Sequence, residues 1–216
     1  MITKNIKTEE NFEVSNDLFS FVSQYKEQEC DIRYIRFKDI NITNCDLDNL
    51  AFDNVIFEKC NITNSSFNRT DFTYVIFDSC DISNNDFSNS WFNKCKFKNI
   101  KSLGSKFNDC SFKLVSINDS NFKYSNFTSS KLNDFSAENS NFNSSFITNC
   151  KLKDINFDNV NFIKSDFFNT PLKQVDLTSC EIEDIIISSD FKELKGVRLN
   201  VYQAAEIAKM LGIVIM

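Results

Sequence analysis

Histidine is absent from the 216 residues. Its absence removes imidazole proton transfer, Ser-His-Asp and Cys-His catalysis, and every metal site that needs an imidazole. Gly occurs three times and Pro once, so a fold reversed by glycine- and proline-bearing turns has little to work with. Something other than conventional loops must turn this chain. A phosphate-cradling glycine loop is missing as well. No apolar run approaches the roughly 18 residues of a membrane span, and residues 1–7 lack the apolar core of a secretion signal. A cytoplasmic setting without membrane attachment is therefore expected, and nothing calls for a cofactor or a metal.

What the chain does have is phenylalanine, 24 residues against five Tyr and one Trp, and it is not scattered. Every fifth residue from position 32 to position 187 gives 32 sites, of which 30 are Phe, Ile or Leu; only Ser102 and Ala137 depart. Neither a 3.6-residue helix nor a two-residue strand makes a period of five. Two residues before each site lies a second register with small or β-branched side chains such as Ser65, Thr70, Val75, Ser90 and Ser105. All eight cysteines, at 30, 45, 60, 80, 95, 110, 150 and 180, fall in it. Residues two apart point the same way along extended chain. Both registers thus face one interior, and the cysteines read as small core residues rather than as metal ligands or disulfides. The other three positions are mostly Asn, Asp, Ser, Thr and Lys, as solvent-facing sites require.

A longer period of 20 runs through the same stretch: residues 40–47 are echoed at 60–67 and again at 80–87. Four quintets therefore make one coil of an all-β, four-sided solenoid, a quadrilateral β-helix. Thirty-two quintets predict about eight coils, or a rod roughly 38 Å long at about 4.8 Å per coil. The chain divides into residues 1–29, an N-terminal cap or leader; 30–190, the β-helix; and 191–216, a C-terminal capping and dimerisation module with a small helix and strand. Within the last, Asn200 and Gln203 have the spacing of a capping box. Val201, Ala204, Ala205, Ile207, Ala208 and Leu211 make an apolar helix face, Gly212 suits the position just past its end, and residues 213–216 read as an apolar strand. Such an ending either folds over the last coil or pairs two chains; for the second case the interface residues are Leu199, Val201, Tyr202, Ala205, Ile207, Ala208, Leu211, Ile213 and Ile215.

Charge is segmented along the rod. Residues 31–93 carry a net of −5, residues 94–131 a net of +6 and residues 132–190 a net of −6, within a total of −6. Since positions 20 apart stack, one face can be followed coil by coil. It begins with Tyr34, Ile56, Tyr74 and Ile76, turns basic at Lys94, Lys96 and Lys98, and ends acidic at Asp134, Glu138, Asp154, Asp158 and Asp176. The acidic end reads either as a contact for a basic partner or as an ordinary solvated face. Direct binding of nucleic acid is not expected of so acidic a chain.

The two registers resemble those of the pentapeptide-repeat superfamily, which implies a right-handed quadrilateral β-helix over residues 30–190. Residues 100–104 (Ile-Lys-Ser-Leu-Gly) and the endings at 176–181, 196–204 and 211–215 are similar to stretches of the Qnr quinolone-resistance group. That resemblance implies a non-enzymatic protein that dimerises through its C-terminus and binds DNA gyrase or topoisomerase IV as an acidic mimic of DNA, with an effect on quinolone sensitivity. The repeat phase never slips here, so the two loops that interrupt the coils of that group are not expected. A scaffold or adaptor with a partner unrelated to topoisomerases is the alternative.

Overall fold

The computed structural model describes residues 12–28 and 30–215. In chain order the elements are β1 (Glu13–Ser15), α1 (Leu18–Gln28), β2 (Ile32–Arg33), β3 (Ile35–Lys38), β4 (Asn41–Thr43), β5 (Ala51–Asp53), β6 (Ile56–Glu58) and β7 (Asn61–Thr63). They continue with β8 (Asp71–Thr73), β9 (Ile76–Asp78), β10 (Trp91–Asn93), β11 (Lys96–Lys98), β12 (Ser111–Asn118), β13 (Lys131–Glu138), β14 (Lys151–Asp158) and α2 (Val201–Met210).

The turning problem posed by so few glycines is solved one residue at a time. From Tyr34 onward nearly every fifth residue takes a left-handed conformation, with φ of 56° at Tyr34, 56° at Asn44 and 51° at Asp134. Asn and Asp fill most of these corners, the two non-glycine types that tolerate that region best. Each corner turns the chain from one side of a square to the next. Four sides result, called here faces 1 to 4, beginning at Ile32, Phe37, Ile42 and Leu47.

All strand pairings are parallel, and within the rod each steps by 20 residues, as in Ile32↔Phe52, Phe57↔Phe77 and Glu138↔Asp158. Faces 1 and 2 are strand ladders; faces 3 and 4 are joined by β4–β7 and by isolated bridges such as Asn121↔Asn141 and Asp166↔Ile186. Face 1 passes through Ile32, Phe52, Phe72, Phe92, Phe112, Leu132, Leu152 and Leu172, so eight levels are joined by about seven turns. No inserted loop interrupts them.

Ring stacks follow the ladder spacing. Phe67, Phe87, Phe107 and Phe127 lie 5.0, 4.9 and 5.0 Å apart, and Phe72, Phe92 and Phe112 lie 4.8 Å apart. The small register closes the remaining polar valences: Ser90 Oγ donates to the Phe67 carbonyl at 2.8 Å and accepts from Thr70 N at 3.0 Å. Cysteines act alike, with Cys110 Sγ 3.0 Å from the Phe87 carbonyl. Burial pushes the Cys95 and Cys110 thiols up to about 12, so both stay protonated and inert at neutral pH. Cys30 departs from this rule, being exposed at the edge of the first coil, and Cys45 is only half-buried.

The two breaks in phase are exchanges of size. Where Ser102 and Ala137 stand in the large register, the neighbouring small register holds Ile100 and Phe135, and all four are buried. One coil therefore keeps its interior volume, which close packing requires.

Both ends are covered. β1 pairs with β3 on face 2, and α1 sets Leu18 and Val22 into the first coil, with Phe21 edge-on to Phe37 at 5.5 Å. The portion of the N-terminal segment over residues 1–11 lies outside the described residues. At the other end residues 193–198 form a last partial level, where Leu172 N, Gln174 N and Leu177 N donate to the carbonyls of Glu193, Gly196 and Arg198 at 2.8, 2.9 and 3.0 Å. The Glu193 carboxylate is buried there and accepts from Asn169 N at 2.8 Å, Ser188 N at 3.2 Å and Ser188 Oγ at 2.5 Å. Desolvation raises its pKa, but these donors outweigh it and hold the carboxyl below its ordinary value.

Two predictions follow from this packing. Ala137→Phe alone should cost about 1–3 kcal/mol by overpacking and Phe135→Ala alone about 3–5 kcal/mol, whereas the double variant should recover most of the loss in a denaturant-unfolding cycle. A double variant that loses the full sum would show that the registers do not share one volume. At the C-terminal end, Glu193→Gln should cost roughly 2 kcal/mol at neutral pH. Because the folded pKa lies below the unfolded one, that stabilisation is present above the usual glutamate value of about 4.3 and lost as pH falls through the folded value. The variant's stability should accordingly depend less on pH in that acidic window, which melts at stepped pH would read.

Candidate interaction surface

The five predicted acidic residues gather on one side of the rod. Asp134 and Asp154 are left-handed corners between faces 1 and 2, one coil apart, with φ of 51° and 52°. Glu138 and Asp158 are direct ladder partners at the far edge of face 2. Two like charges so placed disfavour the bare fold, and Asn118 offsets this by donating from Nδ2 to Glu138 at 3.3 Å. Asp176, one level on, bridges to Arg198, whose guanidinium lies 3.5 Å from its carboxylate. The Thr178 hydroxyl donates to Asp176 at 2.7 Å and, with the Thr178 backbone, lowers its pKa. Four of the five thus present free or weakly held charge, and the fifth is tied into the C-terminal cap.

The rest of that side follows the sequence order. Lys94 lies over the Tyr74 ring, 4.5 Å from its centroid, and Lys96 and Lys98 continue along face 2 on β11. Ile56 is buried: it is the ladder partner of Arg36, which forms an ion pair with Glu58 at 2.7 Å. Phe12 approaches Tyr34 edge-on at 6.4 Å.

The C-terminal module differs more from expectation. The capping box forms, with Gln203 N donating to Asn200 Oδ1 at 3.0 Å and Asn200 N to Gln203 Oε1 at 2.8 Å. Gly212, at φ +77°, closes α2 as a Schellman turn, with Gly212 N bonded to Lys209 O at 2.8 Å and Ile213 N to Ala208 O at 3.0 Å. The helix is anchored by a polar residue: Gln203 Nε2 donates to the carbonyls of Leu177 and Cys180, each at 2.6 Å. Leu199 and Ile207 pack against the core, and Ala205 and Ala208 are half-buried beside them. Val201, Tyr202, Leu211, Ile213 and Ile215 remain exposed, Tyr202 by 80%. The apolar face read from spacing is therefore split, because the Gln203 anchor rotates it away from the solenoid. Residues 213–215 pair with no strand among the described residues.

Some surface features escaped the sequence reading. Phe146, Phe168 and Ile186 are exposed on face 4, with Lys192 5.9 Å from the centre of the Phe168 ring, and Trp91 is exposed on face 1. The signal was available in the outward positions of the 20-residue repeat. An open groove of about 610 Å³ runs along the corner between faces 2 and 3, lined by amides such as Asn99, Asn121 and Asn141 together with Lys101, Asp119 and Glu181. No helix of the described residues is long and apolar enough to cross a membrane.

Comparison with known proteins accords with this architecture. Residues 50–127 match the family described as pentapeptide repeat region, and residues 139–178 match that of pentapeptide repeats (8 copies). No curated protein matches the chain. Among solved structures it is similar to HetL, a pentapeptide repeat protein involved in heterocyst differentiation regulation in the cyanobacterium Nostoc sp. strain PCC 7120. That superposition has a TM-score of 0.62 at 11% identity and covers 84% of this chain and 94% of HetL. QnrB1, a plasmid-mediated fluoroquinolone resistance protein, aligns at 16% identity and a TM-score of 0.47, over 84% of this chain and 99% of that one. At such identities the likeness to HetL speaks to the fold alone. With two family matches that together span more than half of the sequence, and with a five-residue repeat on every face, the chain belongs to the pentapeptide repeat family.

Proposed function

We propose that this protein is a non-enzymatic ligand of a type II topoisomerase, gyrase or topoisomerase IV, which it engages as a C-terminally paired dimer through the acidic side of its rod. The observation that carries this reading is the stacking of Asp134 on Asp154 and of Glu138 on Asp158 at the ladder spacing. Two carboxylates per coil of about 4.8 Å give one negative charge per roughly 2.4 Å of rod, against one per about 1.7 Å of duplex DNA. A groove that neutralises phosphates with lysine and arginine would meet a similar local density of charge across these two coils, held on a rigid rod that needs no ordering on binding. The resemblance of the ending to the Qnr group supports the same reading, and continuous coils without loops make gyrase contact a firmer expectation than drug protection.

Pairing of two chains is supported by the exposed Val201, Tyr202, Leu211, Ile213 and Ile215, an apolar group larger than scattered surface residues provide. A two-fold contact there would bring two acidic sides to the middle of a longer rod. An adaptor with an unrelated partner is the second reading, favoured by the lysines of the middle coils, which a uniform mimic of DNA would not carry.

Light scattering on a sizing column should give twice the chain mass, and Leu211→Asp with Ile213→Asp should give one chain mass at unchanged melting temperature. Supercoiling by purified gyrase, titrated with the protein with and without a quinolone, is the primary test. Inhibition or relief from the drug is expected, and Asp134→Lys, Asp154→Lys and Asp158→Lys together should abolish it. An unaffected enzyme at large molar excess would exclude the topoisomerase reading and leave the adaptor.

A further inference from the structure

The coils are not bonded equally to one another. Between the seventh and eighth levels faces 3 and 4 keep their ladder, with Glu181 N donating to Val160 O and Ile186 N to Ser165 O, each at 2.9 Å, and Phe162 N to Glu181 O at 2.8 Å. On faces 1 and 2 the ladder stops. β14 pairs with β13 alone, and no backbone hydrogen bond joins it to residues 171–178 among the described residues. The chain's single proline, Pro171, stands where Lys151, one coil earlier, donates to Ser130 O at 3.0 Å, and proline has no N–H to give. The N–H groups of Leu152 and Asp154, which by the repeat would bond to the next coil, have no such partner. Leu152 and Ile155 are half-exposed, whereas their counterparts Leu132 and Phe135 are buried.

Five of the eight outward positions of face 1 at the same place are lysine and none is acidic. Lys113, Lys131, Lys151, Lys153 and Lys173 are all exposed, and the other outward residues of that face from β12 to Lys173 are Ser111, Asn133 and Pro171. Lys131 and Lys151 are direct ladder partners, an arrangement that costs stability. Of these five lysines only Lys153 has an ion-pair partner among the described residues, Asp154, at 3.8 Å with both side chains mostly exposed.

A strand edge without backbone partners and a row of lysines with a single weak ion pair coincide on one face. We propose that face 1 at levels six to eight docks an extended acidic segment of another protein, which adds a strand to the free edge of β14 and sets its carboxylates over Lys131, Lys151, Lys153 and Lys173. Main-chain bonds to Leu152 and Asp154 supply register, alternate apolar side chains of the segment cover Leu152 and Ile155, and the lysines supply selectivity by charge. Leu172, Val175 and Leu177 of the last level are buried above this edge, so docking requires that level to swing aside on the bonds retained on faces 3 and 4. An acidic peptide fits better than a polyphosphate strand, since only the peptide can satisfy the open backbone groups. The site adjoins the acidic side at Asp154, which lies on the same strand, but it uses face 1 and does not depend on the topoisomerase reading.

The test is fluorescence anisotropy with a labelled peptide of alternating Glu and Val, alongside its Lys-Val analogue, an N-methylated Glu-Val analogue and a single-stranded oligonucleotide. The Glu-Val peptide is expected to bind, to lose affinity about tenfold or more in roughly 1 M salt, and to slow amide exchange at Leu152 and Asp154. Lys151→Glu with Lys153→Glu should abolish this binding and confer binding of the Lys-Val analogue, a gain that misfolding cannot produce. The proposal is overturned if the Glu-Val peptide does not bind. It is overturned equally if the N-methylated peptide or the oligonucleotide binds as tightly, because charge alone would then suffice.

Discussion

Everything in this rod depends on one equality, that each coil uses the same number of residues as its neighbours. A parallel ladder closes only if residue i meets residue i+20 on every face at once. A single inserted residue within a side would turn inward side chains outward for the rest of that side. The phenylalanine stacks, the Ser and Cys hydroxyl and thiol bonds and the left-handed corners all inherit their positions from that equality. Its stabilisation is correspondingly local: each level contacts only those above and below, so cohesion is a sum of nearest-neighbour terms with two exposed ends. The end pieces are where regularity stops. Helix α1 closes one end with apolar side chains, while Glu193 and Gln203 close the other with hydrogen bonds to backbone groups of the last coils.

How much of this was legible follows from the same constraint. A period of five cannot arise from helix or ordinary strand, so the inward registers, the square section and the stacking of positions 20 apart could be read from Phe, Ile and Leu alone. The acidic residues were placed for the same reason: Asp134 and Asp154 differ by one coil, and Glu138 and Asp158 do too. Legibility ended where the repeat did. Helical spacing marked Val201 to Leu211 as one apolar face, but the orientation of α2 is decided by Gln203 reaching two carbonyls of the last coil, a contact with no periodic signal. The burial of Ile56 carries no periodic signal either, since it lies on an outward position that Arg36 and its partner Glu58 help to cover. The open edge of β14 was hidden for a third reason. Pro171 was visible as a residue, but its consequence lies in bonds that are missing, and those appear only once neighbouring coils are compared.

The surface chemistry is more segregated than the overall charge suggests. Carboxylates occupy the corner after face 1 and the far edge of face 2, while lysines occupy face 1 at the same heights. Opposite signs thus lie around one corner of a rod only a quintet wide on each side. Side chains that close would neutralise one another if they were long enough and free to bend, and the one pair that meets, Lys153 with Asp154, does so at 3.8 Å. The square section keeps the two sets apart, since successive faces project in different directions.

The incomplete ladder beneath β14 also has a mechanical meaning. A solenoid pulled from its ends unravels where the fewest bonds resist, and here two of four sides have already let go. Tension applied through the C-terminus would therefore meet its weakest joint one coil in from that end. The terminal level would come away with its cap as a unit, leaving seven levels of rod and their aromatic spine intact.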